Sequence, residues 1–187
     1  MNTYHKRFLE SHSSEYVIAL FSRYKGAAKE ITESWAMLEA AKRFAPNLND
    51  SYVVVVGDGC SPRTGALIAY YTKASVVSID PAHNEEHWAE HCTIQNKIGY
   101  PVQRLIVIKD KIENIPMDCE GKQLVVLWPH SHAIMGKERI TNYSKRIDIA
   151  MPCCIPPPHD WLLKPHITYE DDNVLSPKKT VHVWGVI

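Results

Sequence analysis

From residue 52 onward, the chain alternates short apolar runs rich in Val and Ile with stretches of helical periodicity. Strands buried on both faces of a sheet have this near-continuous apolar character, and strands connected through helices pair in parallel. The pattern therefore predicts an α/β fold, doubly wound, in which a mostly parallel sheet carries helices on both faces. The predicted strands are 52–56, 75–79, 104–108, 124–128 and 147–151, and the predicted helices are 64–72, 84–98 and 136–145.

The first fifty residues have helical rather than strand character. Residues 31–44 place apolar side chains at helical spacing, and Pro46 ends the pattern. The earlier apolar stretch 16–21 is short, so it fits either a helix packed beside the main body or an arm used in homo-oligomerisation. We expect residues 1–50 to form an N-terminal helical extension.

The C-terminal residues predict a different kind of connection. Residues 166–169 and 180–184 flank a polar turn, which is typical of an antiparallel hairpin. A chain of 187 residues suits one domain with a substantial core. We therefore expect residues 51–187 to form a single Rossmann-like unit that ends in this hairpin.

The charge balance and the apolar content limit the partners. The 21 basic and 21 acidic residues cancel, so the chain has no overall positive field and a dedicated DNA-binding role is disfavoured. No run approaches the roughly 18 apolar residues that a membrane span needs. The first residues are polar, unlike a secretory leader, and the five cysteines show no paired spacing. These features predict a cytoplasmic protein without disulfides.

The strongest local signal is the turn after the first predicted strand. Gly57 and Gly59 separate that strand from the next predicted helix, and glycines let the backbone approach a ligand closely. Asp80 follows the second predicted strand, where a carboxylate can accept hydrogen bonds from both ribose hydroxyls of an adenosyl group. The alternative is a tight strand-to-helix connection that binds no ligand.

These residues resemble the glycine-rich motif and the following acidic position of class I S-adenosylmethionine-dependent methyltransferases. The family's sheet of parallel strands also ends in an antiparallel hairpin. The resemblance implies methyl transfer from S-adenosylmethionine to an oxygen or nitrogen of a small molecule or an RNA. This chain departs from the family pattern because its third glycine is displaced. The residues implied to bind the cofactor are Gly57, Asp58, Gly59, Cys60, Arg63, Asp80 and Pro81.

A dinucleotide-binding Rossmann domain is the nearest rival. Its Gly-x-Gly-x-x-Gly fingerprint requires a glycine at position 62, where this chain has Pro62. A proline at the start of the helix would not cradle a pyrophosphate in the usual way. The sequence therefore favours S-adenosylmethionine over NAD.

Two histidines follow the fourth predicted strand, at the sheet edge where open α/β folds bind their ligands. Imidazole titrates close to neutral pH, so His130 or His132 can act as a general base for attack on the methyl group. Hydrogen bonding within the loop is the alternative role. Trp128, His159 and Trp161 are candidates for substrate contact, although tryptophan is also a common core residue.

Two short patterns bear on the acceptor. The Asp/Asn-Pro-Pro-aromatic signature of nucleobase amino-group methylation does not follow the fourth predicted strand. Cys153 and Cys154 loosely resemble an element of some tRNA 2′-O-methylating enzymes, but buried cysteines also behave as small hydrophobic residues. These patterns leave the acceptor open.

Two other functions compete with methyl transfer. A methyltransferase-like protein that binds an adenosine ligand without catalysis would tolerate the displaced glycine. Alternatively, His83, His87 and His91 lie four residues apart on one predicted helix face, a spacing that could bind a divalent ion in a hydrolase. No second ligand cluster of standard spacing follows them, so we predict no metal site.

Overall fold

A seven-stranded sheet forms the centre of the protein, as seen in a computed structural model that describes residues 1–22, 25–99, 103–152 and 164–185. The strands are β1 (Tyr52–Val56), β2 (Ser75–Ile79), β3 (Leu105–Ile108), β4 (Pro116–Asp118), β5 (Leu124–Pro129), β6 (Arg139–Thr141), β7 (Arg146–Met151), β8 (Ile167–Glu170) and β9 (Thr180–Trp184). The helices are α1 (Thr3–Glu10), α2 (Ser14–Ser22), α3 (Ala27–Phe44), α4 (Arg63–Tyr71) and α5 (Glu85–Lys97), and 3-10 turns span Leu48–Asp50 and Ile112–Asn114. None of the described helices has the length and apolar character needed to cross a membrane.

The sheet is parallel except at one end. Its order is β3-β2-β1-β5-β7-β9-β8, and β9 pairs antiparallel with both β7 and β8. The chain moves outward from β1 through β2 to β3 and then returns to the other side of β1 as β5. The connections that follow β1 and β5 lead to opposite sides of this reversal point. A crevice therefore forms at the carboxyl ends of the two strands. The predicted α/β class, the mostly parallel sheet and the C-terminal hairpin are confirmed.

The two faces of the sheet are covered by different kinds of structure. Successive strand residues point to opposite faces, so Val53 and Val55 join the core beneath the helices, whereas Val54 and Val56 join a second core. On the first face, α3 packs on β5 and β7, and α4 packs on β1, β2 and β3. On the second face, the described residues contribute the Ile112–Asn114 turn and the β4–β6 pair, where the sequence predicted α-helix.

The helix predicted over residues 136–145 is wrong. The segment contains β6, which pairs in parallel with β4, and Ile140 is its buried apolar residue. A surface helix needs an apolar stripe to bury, and this polar stretch does not supply one. Gly136 and Asn142 also have positive φ values of +88° and +55°, which a right-handed helix does not allow.

The N-terminal helices share the core of the sheet domain. The ring centroids of Phe8 in α1 and Phe21 in α2 lie 5.7 Å apart, and Trp35 in α3 lies 6.2 Å from Phe8. The apolar stretch 16–21 therefore belongs to a helix packed beside the body. The Tyr4 hydroxyl donates to Asp171 in the turn between β8 and β9, so the first helix is bonded to the final hairpin.

Gly185 shows how closely the backbones approach near the end of β9. It has φ +79°, and a Cβ at this position would lie 2.0 Å from the carbonyl oxygen of Arg146. We expect Gly185→Ala to lower the free energy of unfolding by about 3 kcal/mol or more, because the clash adds to the backbone strain. Gly121→Ala is the control, since Gly121 has φ +76° with no atom within 4 Å of its Cβ position. It should lose only about 1 to 2 kcal/mol in urea denaturation, and equal losses would contradict the prediction.

Candidate functional site

A cleft of about 720 Å³ opens at the carboxyl ends of β1, β2 and β5, where the strand order reverses. This volume lies within the roughly 300 to 1,000 Å³ that is typical of small-molecule and cofactor sites. Its walls come from the first turns of α3, the turn after β1, the end of β2 and the loops after β3 and β5. The reversal of strand order thus produces a site of the size of a nucleoside cofactor.

The turn after β1 contains two glycines, and at Gly57 the absence of a side chain lets the loop after β5 approach the backbone. Gly57 and Gly59 have φ values of +80° and +78°, which favour glycine. A Cβ on Gly57 would lie 2.8 Å from Cα, Cβ and Oγ of Ser131, so the loop after β5 crosses directly over this glycine. Gly57 therefore satisfies both a backbone conformation and a close approach, and Gly59 satisfies the backbone conformation.

Asp80 lies beside this glycine turn. Its Oδ2 accepts the Gly59 N–H at 2.8 Å, and its Oδ1 accepts the Ala82 N–H at 2.7 Å. A carboxylate offers about four acceptor positions, so each oxygen keeps capacity for a further donor. Asp80 is half-buried and lines the cleft. The structure thus brings together the glycines and the acid that the sequence singled out.

The Asp58 carboxylate is bonded to the protein itself. It is buried, and its carboxylate accepts the N–H groups of Thr64 at 2.9 Å and Gly65 at 2.8 Å and the Ser78 hydroxyl at 2.9 Å. The first two bonds satisfy amides at the start of α4 that have no partner within the helix. Asp58 therefore lines the cleft while its carboxylate caps a helix, so we withdraw a cofactor contact by that carboxylate.

The displaced glycine has a packing role. A Cβ on Gly65 would lie 2.9 Å from the Ser78 Cβ and 3.2 Å from the Asp58 carboxylate. Glycine at this position therefore lets α4 approach β2 closely, which is one of the functions of the third glycine in nucleotide-binding turns.

The remaining predicted cofactor residues lie around the same turn. Arg63 and Pro81 line the cleft, and the Arg63 guanidinium lies 3.0 Å from Oε2 of Glu30. Cys60 is half-buried outside the lining, and its carbonyl oxygen accepts the Asn84 N–H at 2.9 Å. The structure therefore brings Arg63 and Pro81 to the cleft and gives Cys60 a backbone role.

His130 contacts a carboxylate that the sequence did not single out. Its Nε2 lies 2.8 Å from Oε1 of Glu33 on α3, and the Lys29 Nζ lies 3.0 Å from the same oxygen. Burial by itself raises the pKa of Glu33, but the contacts with His130 and Lys29 outweigh it and hold that pKa below its usual value. Glu33 therefore stays ionised near neutral pH. His132 is exposed and also lines the cleft.

The local backbone sets the position of His130. The residue has φ +52°, uncommon for a side chain other than glycine, and its N–H donates to the Met151 carbonyl at 3.1 Å. Residues held in this region cluster at functional sites.

The sequence analysis did not identify Glu33 and Lys29. Their only signal in the sequence is a charge within a helical pattern, and such a pattern does not show that α3 lies against the end of β5.

The three residues predicted to contact the substrate have different outcomes. Trp128 is 2% exposed and lies in the second core, where its indole N–H donates to Oδ1 of Asp148 at 3.0 Å. It therefore lies outside the cleft lining, and the substrate role is withdrawn. His159 and Trp161 lie outside the described residues, as do Cys153 and Cys154.

The histidines of the metal hypothesis are separated by packing. His83 is buried with its Nε2 3.1 Å from the Ser78 hydroxyl, and the His91 ring stacks on Trp88 with centroids 5.4 Å apart. Within residues 1–22, 25–99, 103–152 and 164–185, no group of three His, Cys, Asp or Glu side chains could hold a metal ion. His83 and His91 thus contribute to packing.

Comparison with known proteins identifies the fold. No protein-family model and no curated protein matches the chain. A structure of MtNAS in complex with MTA and tNA matches with a TM-score of 0.53 and 16% identity over 97% of this chain and 68% of that chain. A mutant of MtNAS in complex with S-adenosylmethionine matches with a TM-score of 0.51 and 14% identity, covering 97% of this chain and 70% of that chain.

A third solved structure, described as "Putative methyltransferase yhhF from Escherichia coli", has a TM-score of 0.50 and 10% identity over 80% of this chain and 82% of that chain. At these identities, the similarity concerns the fold. The chain has a class I methyltransferase-like fold.

The role of Asp58 as a helix cap can be tested by its effect on stability. We expect Asp58→Ala to lower the free energy of unfolding by about 2 to 3 kcal/mol, because two helix amides and a buried hydroxyl lose their acceptor. The control is Asp50→Ala, an exposed aspartate before β1 that should change stability by less than about 0.5 kcal/mol in urea denaturation. Similar small losses for both variants would refute the capping role.

His91 predicts a dependence of stability on acid. Burial lowers its pKa from 6.5 to about 4, so the unfolded chain binds a proton before the folded one does. Between pH 7 and pH 4.5, the wild type should therefore lose about 2 to 3 kcal/mol more unfolding free energy than His91→Gln. The exposed His12→Gln variant should keep the wild-type loss in urea denaturation at both pH values. Parallel curves for the wild type and His91→Gln would show that His91 titrates normally.

Proposed function

We propose that this protein is an S-adenosylmethionine-dependent methyltransferase that acts on an oxygen or nitrogen of a small molecule or an RNA. The observation that carries the proposal is the Asp80 carboxylate, bonded to the Gly59 N–H at 2.8 Å in the cleft of a class I methyltransferase-like fold. The similar MtNAS structures, described with S-adenosylmethionine and with MTA, support an adenosyl ligand for this cleft.

The residues of the cleft fit such a ligand. Asp80 keeps acceptor capacity on both oxygens for the ribose hydroxyls, and the glycines at 57 and 59 leave the backbone accessible. Ile79 and Ile112 line the same cleft and offer apolar contact to an adenine ring. We assign Gly57, Gly59 and Asp80 to the cofactor, with Arg63 and Pro81 at its border.

S-adenosylmethionine supplies a methyl carbon on a sulfonium sulfur, which keeps the electron pair of the broken bond when the acceptor oxygen or nitrogen attacks. The protein must position the acceptor and receive its proton. We assign proton uptake to His130, because it lies in the cleft and its Nε2 contacts Glu33. The ionised Glu33 carboxylate would stabilise positive charge on the imidazole ring. His132, on the same loop, stays a second candidate.

Calorimetric titration with S-adenosylmethionine, S-adenosylhomocysteine and NAD tests the cofactor assignment. The wild type should bind both sulfur nucleosides, and Asp80→Ala should weaken this binding by on the order of 2 kcal/mol, or about 30-fold, because a charge-assisted ribose contact is lost. The control is Asp50→Ala, which lies before β1 at the opposite edge of the sheet and should leave affinity unchanged.

The other outcomes separate the alternatives. Tighter binding of NAD would favour a dinucleotide-binding domain, and unchanged affinity of Asp80→Ala would remove the ribose assignment. Binding of S-adenosylmethionine without release of S-adenosylhomocysteine in the presence of small-molecule and RNA pools would indicate a binding protein that lacks catalysis. Failure to bind any of the three ligands would overturn the proposal.

A further inference from the structure

Glu33 has a carboxylate oxygen whose partner is not supplied by the described part of the chain. The side chain is 3% exposed and lines the cleft. Its Oε1 lies close to His130 and Lys29, whereas Oε2 is buried and has no hydrogen-bond donor among the described residues. A buried charged oxygen without a donor is energetically unfavourable. A donor on a bound ligand would remove this penalty.

Glu33 lies beside the histidine to which we assign proton uptake. It contacts His130, and the next residue, Ser131, packs directly over Gly57 in the glycine turn. The adenosyl assignment involves Asp80 at the end of β2, whereas Glu33 belongs to α3. Glu33 therefore belongs to a different wall of the cleft from Asp80, next to the loop that packs over the glycine turn.

The charge of the cleft selects among possible donors. Among the described residues, six acidic and three basic side chains line it, although the whole chain has 21 of each sign. The ion pairs Lys29–Glu33 and Arg63–Glu30, each at 3.0 Å, take one charge of either sign, so the acidic excess comes from the other lining residues. The acidic residues are Glu30, Glu33, Asp58, Asp80, Asp110 and Glu113.

An excess of carboxylates in a partly closed cleft attracts cations and repels polyanions. A hydroxyl could donate to Oε2, but it would leave the charge excess unchanged. An ammonium group donates to Oε2 and also compensates charge, and a charged hydrogen bond is roughly twice as strong as a neutral one. The phosphates of an RNA would meet repulsion in the same place.

We propose that the methyl acceptor is a small cationic amine, whose ammonium group is recognised by Oε2 of Glu33. This inference rests on the proposed methyltransferase function and names its substrate class. Before attack, the ammonium nitrogen must lose a proton, and His130 lies next to the carboxylate to receive it. The nitrogen then bonds to the methyl carbon as the sulfur–carbon bond breaks, and the sulfur retains the electron pair.

The test compares benzylamine, which is cationic at pH 7, with benzyl alcohol, which has the same shape without the charge. Protein labelled with ¹³C at glutamate carboxyl carbons is titrated by NMR, and the Glu33 signal is assigned by its loss in Glu33→Gln. We expect benzylamine to shift the Glu33 signal and to bind about tenfold or more tightly than benzyl alcohol. In Glu33→Gln, this preference should disappear.

Glu30→Gln is the matched control, since it lies one turn earlier on α3 in the same cleft and already pairs with Arg63. It should keep the preference for the amine. Glu33→Asp, which retains the charge on a shorter side chain, should keep part of it. The wild-type comparison of the two probes needs no variant, so it stands even if a substitution at Glu33 unfolds the protein.

Two results would overturn the inference. One is a Glu33 signal that does not move with benzylamine up to tens of millimolar, and the other is equal binding of amine and alcohol. S-adenosylmethionine is titrated into the same samples to separate this failure from that of the proposed function. Cofactor binding without amine preference would refute the substrate class alone, whereas amine binding without cofactor binding would refute the methyltransferase.

Discussion

The buried carboxylate of Asp58 joins three parts of the protein that must stay aligned for the cleft to exist. It accepts two amides at the start of α4 and the hydroxyl of Ser78 in β2, and it belongs to the glycine turn itself. Ser78 is also in contact with buried His83. Because a charged acceptor inside the protein is stable only with its donors in place, the turn is held in one conformation. Gly59 can then present its N–H to Asp80 on the cleft side.

Much of the sheet could be predicted because parallel strands carry their information locally. A run such as residues 52–56 is apolar on both faces, and the structure begins and ends β1 at the predicted residues. The same reasoning failed at 136–145, where Lys137 and Glu138 suit a helix locally. There the pairing of β6 with distant β4 and the burial of Ile140 decide the structure, and neither is visible within the segment.

The site was only partly predictable, because the direction of a side chain depends on neighbours that are distant in sequence. Asp58 and Asp80 both lie close to the glycines, but one carboxylate turns into the helix terminus and the other lines the cleft. Trp128 ends an apolar run and packs inside, whereas His130, two residues later, reaches Glu33 across the cleft. The contact between α3 and the end of β5 exists only in the tertiary structure. Because α3 lines the cleft, residues 1–50 contribute to the site and do not form only an extension.

The order of strands at the antiparallel end has a consequence for biosynthesis. β9 lies between β7 and β8, so β8 has no pairing with the parallel sheet until the later strand arrives. During translation, β8 therefore leaves the ribosome before its place in the sheet exists, and β7 is an exposed edge for that interval. The bonds of Asn2 and Tyr4 to the turn between β8 and β9 also require residues that emerge late, so these contacts of the first helix cannot form earlier.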